Sequence, residues 1–90
     1  DFARRLAEDV ERRRSHIDEL IAKLAPERPL SRIDAVDLAV LRVAVAELTA
    51  EWPEMTPPSV VVDEAVELAR LFGAEHSPRF VNGALGAMLR

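Results

Sequence analysis

The sequence predicts an all-helical domain, and three observations support that prediction. Apolar residues recur at spacings of three, four and seven along most of the chain, which is the repeat of one face of a helix. The only strand-like stretch, residues 60–62, has no second candidate strand with which to pair. A chain of 90 residues with 49% hydrophobic residues can form one small core. We therefore predict a single domain, residues 1–90, built as a bundle of about four helices.

The first predicted helix spans residues 2–24. Its apolar residues share one face, and its other face carries acid–base pairs four residues apart, such as Asp9 with Arg13. Pro26 and Pro29 end the helix, because proline cannot continue its hydrogen-bond ladder. We interpret the basic run at residues 12–14 as part of the solvated face rather than as a phosphate site.

The second predicted helix, residues 33–48, is apolar nearly all round. A helix of this kind is normally buried on several sides, which predicts that it is the central helix. Ser31 and Asp34 resemble a capping box before it. Arg42 interrupts the apolar residues, and we interpret it as the partner of a nearby carboxylate at the helix surface.

Two further helices complete the prediction. Prolines within residues 52–59 indicate an exposed connection. The third helix follows it and ends before Gly73, the expected residue after a helix end. Ser77 is the expected N-cap of the last helix. Glycines inside a helix are unfavourable, so Gly83 and Gly86 indicate that another backbone comes close there.

Several classes of chemistry are excluded by the residues present. The chain has no cysteine, which removes disulfides, thiolate zinc sites and thiol catalysis. Ser15, His16 and Asp18 lie too close together on one helix to act in series as a catalytic triad. His16 and His76, the only histidines, lie on separate elements. We therefore predict no catalytic residue, no metal site and no cofactor, and we expect that the protein is not an enzyme.

The charge balance limits the nature of any nucleic-acid contact. Twelve Lys and Arg residues stand against 16 Asp and Glu residues, giving a net charge of −4. Because phosphate neutralisation supplies much of the affinity for nucleic acid, RNA binding would have to rest on a local patch, a partner or residues outside this chain. No apolar run approaches the roughly 20 residues of a membrane span. We expect a soluble, cytoplasmic domain without a membrane partner.

Three segments carry a resemblance to a known family. In order along the chain they are VDLAVLRVAVAEL at residues 36–48, VDEAVELARLFG at 62–73 and FVNGAL at 80–85. Together they resemble the NusB family of bacterial transcription antitermination factors. The resemblance implies an all-helical fold and a role in antitermination of ribosomal RNA transcription. It also implies binding of boxA-type RNA together with the ribosomal protein NusE, in an assembly with other Nus factors and RNA polymerase.

The resemblance also implies functional residues. For RNA, the matching positions include an aromatic ring that can stack on an unpaired base, an arginine for phosphate and a polar neighbour: Phe80, Arg79 and His76. Phe80 could equally be a core residue. For the protein partner, the matching positions lie on the central helix: Asp37, Arg42 and Glu47. An exposed carboxylate at Asp37 would steer the approach of a basic protein, with a solvated helix charge as the alternative.

The sequence also departs from the family pattern. NusB proteins usually open with an arginine-rich first helix, and nothing here corresponds to it, so we expect that an N-terminal segment is missing. Its absence would leave the helix at residues 2–24 partly uncovered, and we expect self-association as a homodimer. Two alternative hypotheses are the NusB-like N-terminal domain of an rRNA cytosine methyltransferase and a paralogue that binds only proteins.

Overall fold

The computed structural model describes residues 1–51 and 56–90. Within these ranges it contains a short 3₁₀ turn, Leu30–Arg32, and five helices: α1 Phe2–Arg12, α2 Arg14–Leu24, α3 Ala35–Leu48, α4 Pro58–Phe72 and α5 Ser77–Leu89. No strand occurs among the described residues, and the all-helical prediction is confirmed. The predicted connection at residues 52–59 lies partly outside the described residues. None of the described helices is long and apolar enough to cross a membrane.

The prediction of about four helices is wrong, because residues 2–24 form two helices that meet at Arg13. This residue has φ −105° and ψ 18°, and its N–H still donates to the Asp9 carbonyl at 3.0 Å. Its side chain reaches the end of α3, where it donates to Thr49 Oγ1 at 3.0 Å and to the Ala46 carbonyl at 3.1 Å. The bend lets both α1 and α2 pack against α3.

The central position predicted for α3 is confirmed. It contacts α1, α2, α4 and α5, and Leu41 and Val45 have no exposed surface. Burial of each such side chain stabilises the fold by about 1.5–3 kcal/mol. Among the described residues, the other large apolar side chains that are completely buried come from α2 and α5: Ile17, Ile21, Val81 and Leu85.

The expected uncovered face on residues 2–24 is confined to the start of α1, where Phe2 is 45% exposed. Ile17 and Ile21 are completely buried and Leu6 is nearly so, since α3 and α5 cover this part of the chain. The most exposed large apolar side chains lie instead at the end of α4, where Leu71 is 65% and Phe72 is 68% exposed. The homodimer stays a prediction.

Two helix starts differ from the predictions. The N-cap of α3 is Asp34, without a capping hydrogen bond from its side chain, and Ser31 lies in the 3₁₀ turn, so the predicted capping box does not form. In α5, Ser77 is the first helical residue rather than the N-cap. Its Oγ accepts a hydrogen bond from the N–H of Ala74 at 2.8 Å, which holds the turn before the helix.

Gly73 directly follows the end of α4, as predicted, whereas Gly83 and Gly86 do not serve the purpose predicted for them. Gly73 has φ −95°, so no left-handed conformation requires it. A Cβ built there would lie 2.5 Å from Ser77 Oγ and 2.7 Å from the Ala69 carbonyl oxygen, so a close approach excludes any side chain. Within residues 1–51 and 56–90, a Cβ at Gly83 or Gly86 would meet nothing within 4 Å apart from the backbone of its own helix. The predicted close backbone at these two positions is wrong.

A buried carboxylate connects the α1–α2 junction to α3. Asp9 is buried on α1 and accepts hydrogen bonds from Arg13, with Nε–Oδ1 at 3.1 Å and Nη2–Oδ2 at 2.5 Å. Arg12 also donates to this carboxylate. The hydrogen bonds from Arg13 hold the pKa of Asp9 below its usual value, although burial acts to raise it. Asp9 therefore orients the arginine that contacts the end of α3.

We predict that Asp9→Asn lowers the free energy of unfolding at neutral pH by roughly 2 kcal/mol, because the half-buried Arg13 loses its charged partner. A folded-state pKa below the unfolded value stabilises the protein above the unfolded pKa and loses that effect as pH falls. The difference in free energy of unfolding between Asp9→Asn and wild type should therefore become smaller below about pH 4. Urea unfolding over a range of pH measures both effects.

Glu67→Gln is the matched control, since it removes a carboxylate from an exposed pair with Arg70 on α4. Exposed pairs of this kind contribute little to stability. If Asp9→Asn were no more destabilising than Glu67→Gln at neutral pH, the stabilising role assigned to Asp9 would be wrong.

Candidate nucleic-acid interface

A groove runs between the end of α2 and α5. We call it the Phe80 groove; the lining residues used below are Leu24, Glu27, Arg79, Phe80, Gly83 and Arg90. Two arginines and one glutamate contribute to it, and Arg28 lies directly above the ring of Phe80. The groove is thus locally basic in a chain whose net charge is −4.

Arg28 and Phe80 form a stacked pair. The guanidinium carbon of Arg28 lies 4.3 Å from the centroid of the Phe80 ring, within the range of a cation–π interaction. Phe80 is half-buried and packs against the hydrophobic core. Phe80 therefore combines the two roles considered from the sequence, because it packs against the core and also lines the groove. Arg28 covers one face of its ring.

The three residues predicted to contact RNA lie together at the start of α5. Arg79 is exposed and lines both the Phe80 groove and a neighbouring depression that His76 also lines. His76 is turned toward the start of α3, with its Nε2 3.3 Å from Asp34 Oδ2 and 3.6 Å from Asp37 Oδ2. The surface formed by Arg79 and Phe80 is therefore continuous with the exposed side of His76.

Arg28, Arg90 and Gly83 were not predicted from the sequence to belong to this site. Arg28 follows Pro26 in a turn closed by a hydrogen bond from its own N–H to the Ala25 carbonyl at 3.1 Å. No sequence spacing relates it to Phe80, which is 52 positions later. The sequence showed only that Arg28 is a basic residue between Pro26 and Pro29.

The residues predicted to contact a protein partner do not share one surface. Asp37 has no exposed surface, so the expected exposed carboxylate is not available to a partner. Arg42 donates to Asp18 through Nε at 2.9 Å and Nη2 at 3.0 Å, which confirms the predicted pairing with a carboxylate. These hydrogen bonds from Arg42 raise its pKa above the usual value.

Glu47 lines a second groove, between α3 and α4. We call it the α3–α4 groove and define it by Ala39, Val43, Glu47, Val61, Glu64 and Leu68. Val43 and Leu68 are exposed, and Val43 also borders a depression beside Arg42. Arg42 and Glu47 thus flank one exposed apolar strip. An apolar groove with two glutamates suits a partner with apolar side chains and basic charge.

Comparison with known proteins gives a consistent result. The model of the NusB family matches residues 1–90. Over 89 residues the chain is 45% identical to the transcription antitermination protein NusB of Chloroflexus aggregans, covering 99% of this chain and 59% of that protein. The NusB proteins of Symbiobacterium thermophilum and Caldicellulosiruptor saccharolyticus are 47% and 44% identical, with 100% and 98% of this chain and 58% and 66% of those proteins covered.

The chain spans about 60% of the length of these curated relatives. The match to the family model extends over all 90 residues, and the helical fold agrees with the fold that the resemblance implies. This chain belongs to the NusB family.

Proposed function

We propose that the chain acts in transcription antitermination by binding boxA-type RNA together with the ribosomal protein NusE, in an assembly with other Nus factors and RNA polymerase. Membership of the NusB family supports the general role. The observation that carries RNA binding is the Arg28–Phe80 stack in a groove that also contains Arg79 and Arg90. This groove is the kind of local basic patch that an acidic chain needs in order to bind RNA.

The groove has the groups needed to hold single-stranded RNA. Unpaired bases stack on aromatic rings and on the planes of arginine guanidinium groups. Phe80 holds Arg28 in place from below, so that a base can stack on the outer face of Arg28. Arg79 and Arg90 then lie close enough to the groove to contact the phosphates. Gly83, which is exposed on the same helix, leaves room for the backbone of the RNA.

The α3–α4 groove is the surface that we propose for NusE. It offers exposed apolar contacts at Val43 and Leu68, and negative charge at Glu47 and Glu64. It has no lining residue in common with the Phe80 groove. RNA and protein can therefore be bound at the same time, as joint binding requires.

The antitermination names of the three relatives favour this proposal over a methyltransferase domain. The hypothesis of a paralogue that binds only proteins makes a different prediction. Such a paralogue would bind its protein partner but would not bind RNA at any salt concentration. In the proposed function, by contrast, the chain binds RNA, and its affinity falls as salt rises because it depends on phosphate contacts.

We predict that Arg28→Gln and Arg79→Gln each weaken binding of boxA-type RNA by about 5–20-fold, because each removes a stacking or phosphate contact. Arg79→Gln should also reduce the slope of log affinity against log salt by about 0.7. Fluorescence anisotropy at several salt concentrations, with NusE present, measures both quantities. Urea unfolding checks that the variants remain as stable as wild type.

Arg70→Gln is the charge-matched control, because Arg70 is exposed on α4 and pairs with Glu67. It should bind RNA as wild type does. Equal RNA affinity for Arg28→Gln, Arg79→Gln and Arg70→Gln would contradict the proposed site. Retained NusE binding without any RNA binding by the wild type would support the paralogue that binds only proteins.

Two glycine substitutions separate stability from RNA binding. Gly83→Ala and Gly86→Ala should each raise the free energy of unfolding by about 0.5–1 kcal/mol, because alanine favours the helix and the added methyl meets nothing within 4 Å. Only Gly83 lines the Phe80 groove. We therefore expect weaker RNA binding for Gly83→Ala alone, measured by the same anisotropy assay.

The comparison is informative because the two variants make the same chemical change on the same helix. If Gly83→Ala and Gly86→Ala bound RNA equally well, close approach of RNA at Gly83 would be excluded.

A further inference from the structure

Asp37 presents an unusual electrostatic problem. Its side chain has no exposed surface, and among the described residues neither Oδ1 nor Oδ2 has a hydrogen-bond partner. A buried carboxylate without partners is costly, and proteins normally pair such a group with a cation or a metal. We therefore expect a cationic group or a metal ion close to the Asp37 carboxylate.

Two other side chains approach this carboxylate. Nε2 of His76 lies 3.6 Å from Asp37 Oδ2 and 3.3 Å from Asp34 Oδ2. Asp34 is the N-cap of α3, a position where a carboxylate usually accepts a hydrogen bond from its own helix, yet it makes no such bond. His76, the N-cap of α5, also makes no capping bond. The three side chains therefore face one another across the junction of α3 and α5.

We propose that Asp34, Asp37 and His76 form a binding site for one divalent transition-metal ion of the zinc type. The site offers one imidazole nitrogen and two carboxylate oxygens, a donor set that suits Zn²⁺ and similar ions. The two carboxylates balance the charge of a divalent ion. This ion supplies the partner that the buried oxygens of Asp37 lack.

The distances fit a tetrahedral ion. Metal–ligand bonds of about 2.0–2.2 Å place the ligand atoms of such a site roughly 3.3–3.6 Å apart. The two distances from His76 are 3.3 and 3.6 Å, and one donor atom from each of the three residues lies within 4.8 Å of the others. Asp34 is 53% exposed along its side chain, so it can move the short distance that closes the site. Water can occupy the fourth position.

Solvent reaches the site at His76, and the neighbouring Ser77 fixes the backbone there. His76 is half exposed beside a depression that Arg79 also lines. The next residue, Ser77, is completely buried, and its Oγ is held by the Ala74 N–H. An ion here would join the start of α3 to the start of α5. This inference goes beyond the proposed function, because it concerns an ion and requires no RNA.

The test is a calorimetric titration of the 90-residue chain with Zn²⁺ near neutral pH, accompanied by NMR of the histidine side-chain nitrogens. We expect one ion per chain and a large change at His76 Nε2, with none at His16. His76→Gln and Asp34→Asn should weaken Zn²⁺ binding by at least about tenfold.

His16→Gln and Asp63→Asn are the matched controls, because they change an exposed histidine and an exposed aspartate on other helices. Both should bind Zn²⁺ as wild type does. Circular dichroism checks that every variant is folded.

Failure to bind Zn²⁺ would overturn the proposal. Binding that survived His76→Gln, or that was lost equally in His16→Gln, would show ions held elsewhere on the surface and would also overturn it. None of these results depends on RNA or NusE, so the proposed function is tested separately.

Discussion

The burial of α3 constrains the rest of the structure, because a helix built mainly from alanine, valine and leucine needs apolar neighbours on nearly every side. Four helices supply them. Polar contacts lie at both ends of α3: Arg13 donates to the Ala46 carbonyl and to Thr49 near its end, and His76 approaches the carboxylates at its start. The strip that the four helices leave open, around Val43, becomes the α3–α4 groove. The same packing therefore determines both the core and one candidate binding surface.

Local charge, rather than net charge, determines which partners this chain can bind. Arginines collect around the Phe80 groove, while glutamates line the α3–α4 groove. Each surface combines charge with apolar or aromatic groups, but the charges have opposite sign. An acidic chain can in this way offer one surface to RNA and another to a basic protein. Arg42, held by Asp18, belongs to the fold as well as to the edge of the second surface.

The sequence was sufficient to predict the helices and the central position of α3, because periodicity reports which face of each helix is apolar. It was insufficient wherever the outcome depends on contacts between distant residues. The bend at Arg13 follows from its contacts with the end of α3, and no proline or glycine marks it. Asp37 lies on the same helix face as the buried Leu41 and Val45, but α3 is apolar nearly all round, so its pattern did not show which face is buried. Arg28 became part of the candidate site only through the folding of its turn over Phe80.

We propose that RNA and NusE occupy two separate grooves of this small bundle. NMR of the ¹⁵N-labelled chain, titrated first with NusE and then with boxA-type RNA, tests it most directly. The account predicts that NusE shifts the signals of Val43, Glu47 and Leu68. RNA should then shift those of Arg28, Arg79 and Phe80. RNA-induced changes confined to α1 or α4, with the signals around the Phe80 groove unmoved, would contradict it.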